Sequence, residues 1–162
     1  MERENAIRMV NEALSREYNS ISAYVLHSSP WTTPEDAPAL EAFEEIHALQ
    51  DETARWLTMR LREDFGAGPT VKAFEHWKLD LNYLSVPYLV RFTVEHFDRV
   101  AAEYEGLHGE NAGDPALAAI LGRLRDEARA HRARLTPFVP TWTEGPKEGP
   151  PVGEIPRPKE RK

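Results

Sequence analysis

The sequence predicts an all-α fold, an antiparallel four-helix bundle with a long connection between its second and third helices and a Pro-rich C-terminal tail. Two observations carry this: four stretches hold apolar residues at helical spacing, and three clusters of turn residues separate them. The first helix is expected from Glu4 to Ser29, where Ile7, Val10, Leu14, Ile21 and Val25 recur on one face. Pro30 closes it, because the proline ring cannot follow a helical residue. Thr33-Pro34-Glu35-Asp36 then supplies a cap, a first-turn proline and two acids suited to a helix N-terminus, with Pro38 delaying the regular helix by a turn. The stripe of the second helix is Leu40, Phe43, Ile46, Ala54, Leu57, Leu61 and Phe65, ended by Gly66-Ala67-Gly68-Pro69.

From Thr70 to Leu84 there are aromatics (Phe74, Trp77, Tyr83) but no sustained helical period, so this segment reads as a long packed connection. Ser85 can cap a third helix with Pro87 in its first turn, and Leu89, Phe92, Thr93, Val100, Tyr104 and Leu107 form its buried face. After Gly109-Glu110-Asn111-Ala112-Gly113, Asp114-Pro115 repeats the cap-plus-proline start, and Leu117, Ile120, Leu121, Leu124, Ala128 and Leu135 mark the fourth helix. Residues 1–135 are therefore expected to form the bundle. Residues 136–162 turn to Pro, Gly and charge, and so few apolar side chains cannot offset the entropy of ordering them; an extended or disordered tail is expected, with Phe138, Val139 and Trp142 as its only means of docking. A connection of about 15 to 20 residues can run the length of a bundle of roughly 30 Å, which starts the third helix at the end where the first finished.

Composition narrows the function. The 20 Lys and Arg against 27 Asp and Glu leave a net charge of -7, the wrong sign for affinity built on phosphate neutralisation, so nucleic acid is not an expected partner. Without Cys, thiolate metal sites, iron–sulfur clusters and thiol nucleophiles are excluded, and any metal must be held by His and carboxylate. No stretch approaches the roughly 18 apolar residues a membrane span requires, and the expected location is cytoplasmic. There is no Gly-x-Ser-x-Gly and no Gly-rich phosphate loop, so hydrolase and nucleotide chemistry lack a nucleus.

At about 100° per residue, one or two ionisable side chains per helix point with the apolar face. They are Glu17 on the first helix, His47 with Glu44 one turn earlier on the second, His96 on the third, and His131 with Glu127 on the fourth, while Glu95 turns outward. Counting residues from the helix ends puts all six at one height near mid-bundle. Buried unpaired charge is costly, so such a layer needs an internal partner. A divalent metal held by carboxylate and imidazole is one solution, and a metal-free network of buried Glu, His and Arg is the other. His27 and His76 read as surface or capping residues, and Trp31, Trp56 and Trp77 as packing.

The segment from Asn11 to His27, NEALSREYNSISAYVLH, resembles the first helix of bacterioferritin-type and other ferritin-like proteins, in which a Glu at the position of Glu17 binds metal. Glu44-Glu45-Ile46-His47 has the Glu-x-x-His spacing those di-iron proteins use on their second helix, Leu124 to His131 is similar to their fourth-helix motif, and Glu95 lies near the expected third-helix Glu. The resemblance covers Glu4 to Leu135. It implies a ferritin-like bundle with Glu17, Glu44, His47, His96, Glu127 and His131 around iron or manganese, and dioxygen- or peroxide-dependent oxidation of Fe(II). Three departures stand against an intact site: Glu127-x-x-x-His131 is one residue too long, His96 rather than Glu95 faces inward, and a rival register puts Asp51 and Ala54 at the second-helix positions. A DinB-like bundle with a three-His metal site shares the helix count but needs a His-x-x-x-His pair that this chain lacks. A metal-free bundle acting as a structural or interaction protein is the competing class. Finally, Leu49, Trp56 and Ile46 on the second helix and Val90, Val94 and Phe97 on the third widen the apolar arc beyond one core face, which predicts either a homodimer or cover from the long connection.

Overall fold

The computed structural model describes residues 2–75, 78, 81–82 and 84–141, and within them the chain is all-helical. The expected first helix is two helices, α1 (Glu2–Tyr18) and α2 (Ile21–His27), followed by α3 (Ala37–Phe65), α4 (Val86–Glu110) and α5 (Pro115–Leu135). The break at Asn19–Ser20 corrects the prediction of one continuous helix. Ser20 takes an extended backbone and its hydroxyl accepts from the N–H of Ala23, so it caps α2 instead of continuing α1. The carbonyl of Asn19, left without a helical donor, accepts from the ammonium of Lys78, a side chain buried at the break and paired to Glu75 at 3.2 Å.

The other boundaries follow the predicted signals. Thr33 and Asp36 form a reciprocal capping box around a 3-10 turn at Pro34–Asp36, after which α3 begins, one turn late as Pro38 implies. Gly66 ends α3 in the left-handed conformation (φ 57°), and the N–H of Ala67 reaches back to the carbonyl of Leu61. Asp114 caps α5 through its carboxylate, which accepts from the N–H groups of Ala116 and Leu117 at 3.1 and 3.0 Å.

The connection between α3 and α4 lies along α1 and α2, and side-chain to backbone bonds record its course. It starts where Arg3 donates to the carbonyl of Phe65 and continues where Thr70 N–H meets Asn11, Lys72 N–H meets Ser15, and Asn19 meets the Lys72 carbonyl. It finishes where Tyr24 bonds Asn82 and where Trp31 exchanges two backbone bonds with Leu84 and Val86. Hence α4 starts beside the end of α2, runs in the same direction as α3, and is antiparallel to α1 and α5. Pairs between facing helices agree with this: Arg16 with Glu103, Thr53 with Glu127, Arg134 with Glu45 and Arg132 with Asp98.

One core fills the space between the helices, with Val10, Phe43, Ile46, Leu57, Leu61, Leu89, Ile120, Leu124 and Leu135 fully buried. Ile46, Val90 and Phe97, placed by the sequence on a widened apolar arc, are buried within this chain, and Leu49 stays exposed. The guanidinium of Arg123 covers the ring of Trp56 at 3.9 Å. Trp31 is not a packing residue; its side chain is exposed although its backbone is tied to the start of α4. Trp77, His76 and Trp142 lie outside the described residues. Beyond α5, Thr136–Phe138 forms a 3-10 turn and Phe138 and Val139 pack on the core, so the packed region extends past the expected end at Leu135. The remainder of the tail lies outside the described residues. No helix among the described residues is long and apolar enough to cross a membrane.

Candidate functional site

A pocket of about 330 Å³ opens at mid-bundle, between the end of α1 and the connection on one side and α3, α4 and α5 on the other. Four of the six expected site residues line it: Glu17 from α1, His96 from α4, and Glu127 and His131 from α5. The other two do not. Glu44 is exposed, and His47 sits edge-on to the exposed His27, ring centroids 6.2 Å apart, away from the pocket. Asp51 of the rival register is exposed too, and Ala54 is buried beside the site without a polar group to offer.

The residues that α3 does present at this height are Gln50 and Thr53, both buried. Gln50 stands beside the Glu17 carboxyl, and the Thr53 hydroxyl donates to Glu127 Oε2 at 2.8 Å. With Glu17 opposite Gln50, an uninterrupted helix would carry residue 27 to a level near residue 40 of α3, about one residue up for one down. Instead α2 lags, and His27 meets His47. The count along an uninterrupted helix reaches Gln50 as well; Glu44 and His47, the ionisable residues within reach, lie one to two turns nearer the start of α3.

Charge in the site is paired almost throughout. Glu127 accepts from Thr53 through one oxygen and from Arg123 through the other, at 2.7 Å. Arg16 grips both oxygens of Glu103, at 3.0 and 2.9 Å, and its guanidinium lies 5.1 Å from the ring centre of Tyr104. At the mouth Lys72 pairs with Glu12 at 3.4 Å and Lys78 with Glu75 at 3.2 Å. Among the described residues Glu17 has no such ion pair. Burial is the main force on its carboxyl, aided by the negative charge of Glu127 and opposed by Arg16 and the Gln50 amide, and it is pushed up to about 8. Near neutral pH Glu17 is therefore mostly protonated.

Both imidazoles move the opposite way. Burial pushes His96 down to about 4, with the positive charges of Arg16, Arg99 and Lys78 adding to the effect and Glu75 opposing it. His131 is also pushed down to about 4, by burial first, against the attraction of Glu127 and with help from Arg134. Each is neutral at pH 7. Burial likewise raises Tyr104, keeping its phenol protonated. His131 packs on the ring of Phe97 at 5.3 Å, and its Nδ1 has no hydrogen-bond partner among the described residues; neither has Gln50 Oε1.

This donor set does not fit the two-metal centre implied by the resemblance. Two metals need bridging carboxylates, yet of the four on the lining Glu12 and Glu75 pair with Lys72 and Lys78 at the mouth, and Glu127 has both oxygens bonded to Thr53 and Arg123. From α3 come a neutral amide and a hydroxyl in place of a carboxylate and an imidazole. No group of three or more His, Asp or Glu side chains gathers closely enough to hold a metal ion among the described residues. Comparison with family models, curated proteins and solved structures gives no match.

Proposed function

We propose that this chain is a ferritin-like bundle in which the mid-bundle position is a metal-free polar pocket, and that it works as a binding or interaction protein instead of an Fe(II) oxidase. The ferritin-like part of the reading is supported by the course of the connection along α1 and α2, which leaves α4 running with α3. One observation carries the metal-free part: α3 turns Gln50 and Thr53, not Glu44 and His47, toward Glu17 and Glu127. A neutral amide and an alcohol bind iron or manganese far more weakly than carboxylate and imidazole. They are, however, uncharged neighbours that suit a protonated Glu17, and Thr53 donates to one oxygen of Glu127, so no metal is needed to balance charge in this layer.

The test is the iron and manganese content of protein prepared without chelator, together with Fe(II) oxidation, for the natural chain and for the double variant Gln50→Glu/Thr53→His. The natural chain is expected to carry well under about 0.1 metal per chain and to oxidise Fe(II) no faster than buffer. The double variant restores a carboxylate and an imidazole at i,i+3 on the inner face of α3 and is expected to take up metal. Stoichiometric iron or manganese in the natural chain, lost in Glu17→Ala, would overturn the proposal and return the oxidase reading.

A further inference from the structure

We infer that the mid-bundle pocket is a recognition site for a small organic ammonium ion, a primary amine carried on a short apolar body. This rests on the metal-free reading of the site and adds to it the class of ligand. The first argument is charge. Among the charged side chains lining the pocket, Arg16, Lys72, Lys78, Glu12, Glu75 and Glu127 each have a counter-ion within 3.4 Å. Among the described residues Glu17 has none, and the Arg16 charge that attracts it is already held by Glu103, so a cation that enters the pocket complements the charge Glu17 acquires on ionising.

Hydrogen-bonding capacity gives the second argument. Gln50 and His131, both on the pocket lining, are each only 4% exposed, and Gln50 Oε1 and His131 Nδ1 have no hydrogen-bond partner among the described residues. The amide oxygen can only accept, and the neutral imidazole accepts at Nδ1 when its proton is on Nε2. Leaving such atoms unbonded in a buried site is costly, so a ligand that brings donors is favoured. An ammonium carries three, one for each of Glu17, Gln50 and His131. Arg16 Nη1, a buried donor of the lining without a partner among the described residues, belongs to the guanidinium already held by Glu103 and lies against Tyr104.

Shape and lining supply the third argument. A bare ion does not need 330 Å³, a volume at the lower end of small-molecule sites. Ile21, Phe97, Val100 and Ala128 form an apolar wall for the body of the ligand.

Isothermal titration of the full chain with benzylamine, benzyl alcohol and benzoate at about pH 8 tests this, with iron and manganese content measured on the same preparation. Benzylamine is expected to saturate at one per chain, with benzyl alcohol and benzoate at least about tenfold weaker. Glu17→Gln should weaken benzylamine at least about tenfold and leave benzyl alcohol unchanged, while Gln50→Leu should weaken it several-fold. Circular dichroism melts of both variants check that the fold persists. Equal binding of alcohol and amine, unchanged amine binding in Glu17→Gln, or no saturable binding to metal-free protein each overturns the inference and leaves the metal-free reading standing. Stoichiometric metal in the pocket removes both.

Discussion

Replacing Glu17 by Gln tests the electrostatics of the pocket without changing its shape. The folded chain holds the Glu17 proton up to about pH 8, whereas the ordinary value in an unfolded chain is 4.5. Between these limits the unfolded state binds fewer protons than the folded one, so the contribution of Glu17 makes stability fall as pH rises from about 4.5 to about 8, and it is constant above. At about 1.4 kcal/mol per pH unit the interval gives a ceiling of about 5 kcal/mol. The carboxyl is half-buried and its pocket opens to solvent, which screens the ionised form and reduces the expected loss to about 2 to 3 kcal/mol. Glutamine keeps an acceptor for Gln50 and carries no charge at any pH. Urea denaturation of both proteins at about pH 5 and about pH 8.5 isolates the effect, because every other titrating group is common to the two and cancels in the difference. The variant should match the natural chain within about 0.5 kcal/mol at the lower pH and exceed it by about 2 to 3 kcal/mol at the higher. An advantage that is the same at both pH values would refute the reasoning, as would a variant less stable at about pH 8.5.

Three further outcomes follow from other parts of the structure. His96 and His131 are held down to about 4, so the unfolded state binds more protons between about 4 and 6.5 and stability is lost as pH falls through that window; His131→Leu should remove about half of this acid loss in thermal melts. Lys78→Met takes the donor from the Asn19 carbonyl at the α1–α2 break and should cost about 1 to 3 kcal/mol in urea denaturation, with faster amide exchange confined to the break. Gly66→Ala places a Cβ at a left-handed residue and 3.0 Å from the Arg3 guanidinium that caps α3, which should destabilise the chain by about 1 kcal/mol by the same measurement.

The fold was legible because its signals are local and redundant. Asp114-Pro115, Thr33 to Asp36 and Gly66 each act within a few residues of themselves, and the structure uses them as caps and stops. The course of the connection needed no more than its length. What escaped was the break inside the first helix, although Tyr18-Asn19-Ser20 holds two residues that favour caps and turns over helix interiors. The apolar spacing of Ile21 and Val25 behind Leu14 hid it, because both helices bury a face on the same core.

The break is not what hid the α3 side of the site. Glu44 and His47 are ionisable residues one to two turns nearer the start of α3, whereas the uncharged Gln50 and Thr53 stand at the level of Glu17 and Glu127. Ionisable character on an inner face does not mark a buried amide or hydroxyl. Yet the pattern Phe43, Ile46, Gln50, Thr53, Leu57, Leu61 is itself a regular inner stripe, and its two polar members are buried. Charge was therefore the wrong filter for this layer. Gln50 sets a neutral amide beside the Glu17 carboxyl where a carboxylate would repel its ionised form, and Thr53 and Arg123 each engage one oxygen of Glu127. The chemistry of the pocket thus turns on the two neutral residues of α3 at least as much as on the acids and imidazoles that first drew notice, and exchanging those two is the smallest change that tells a binding pocket from a metal centre.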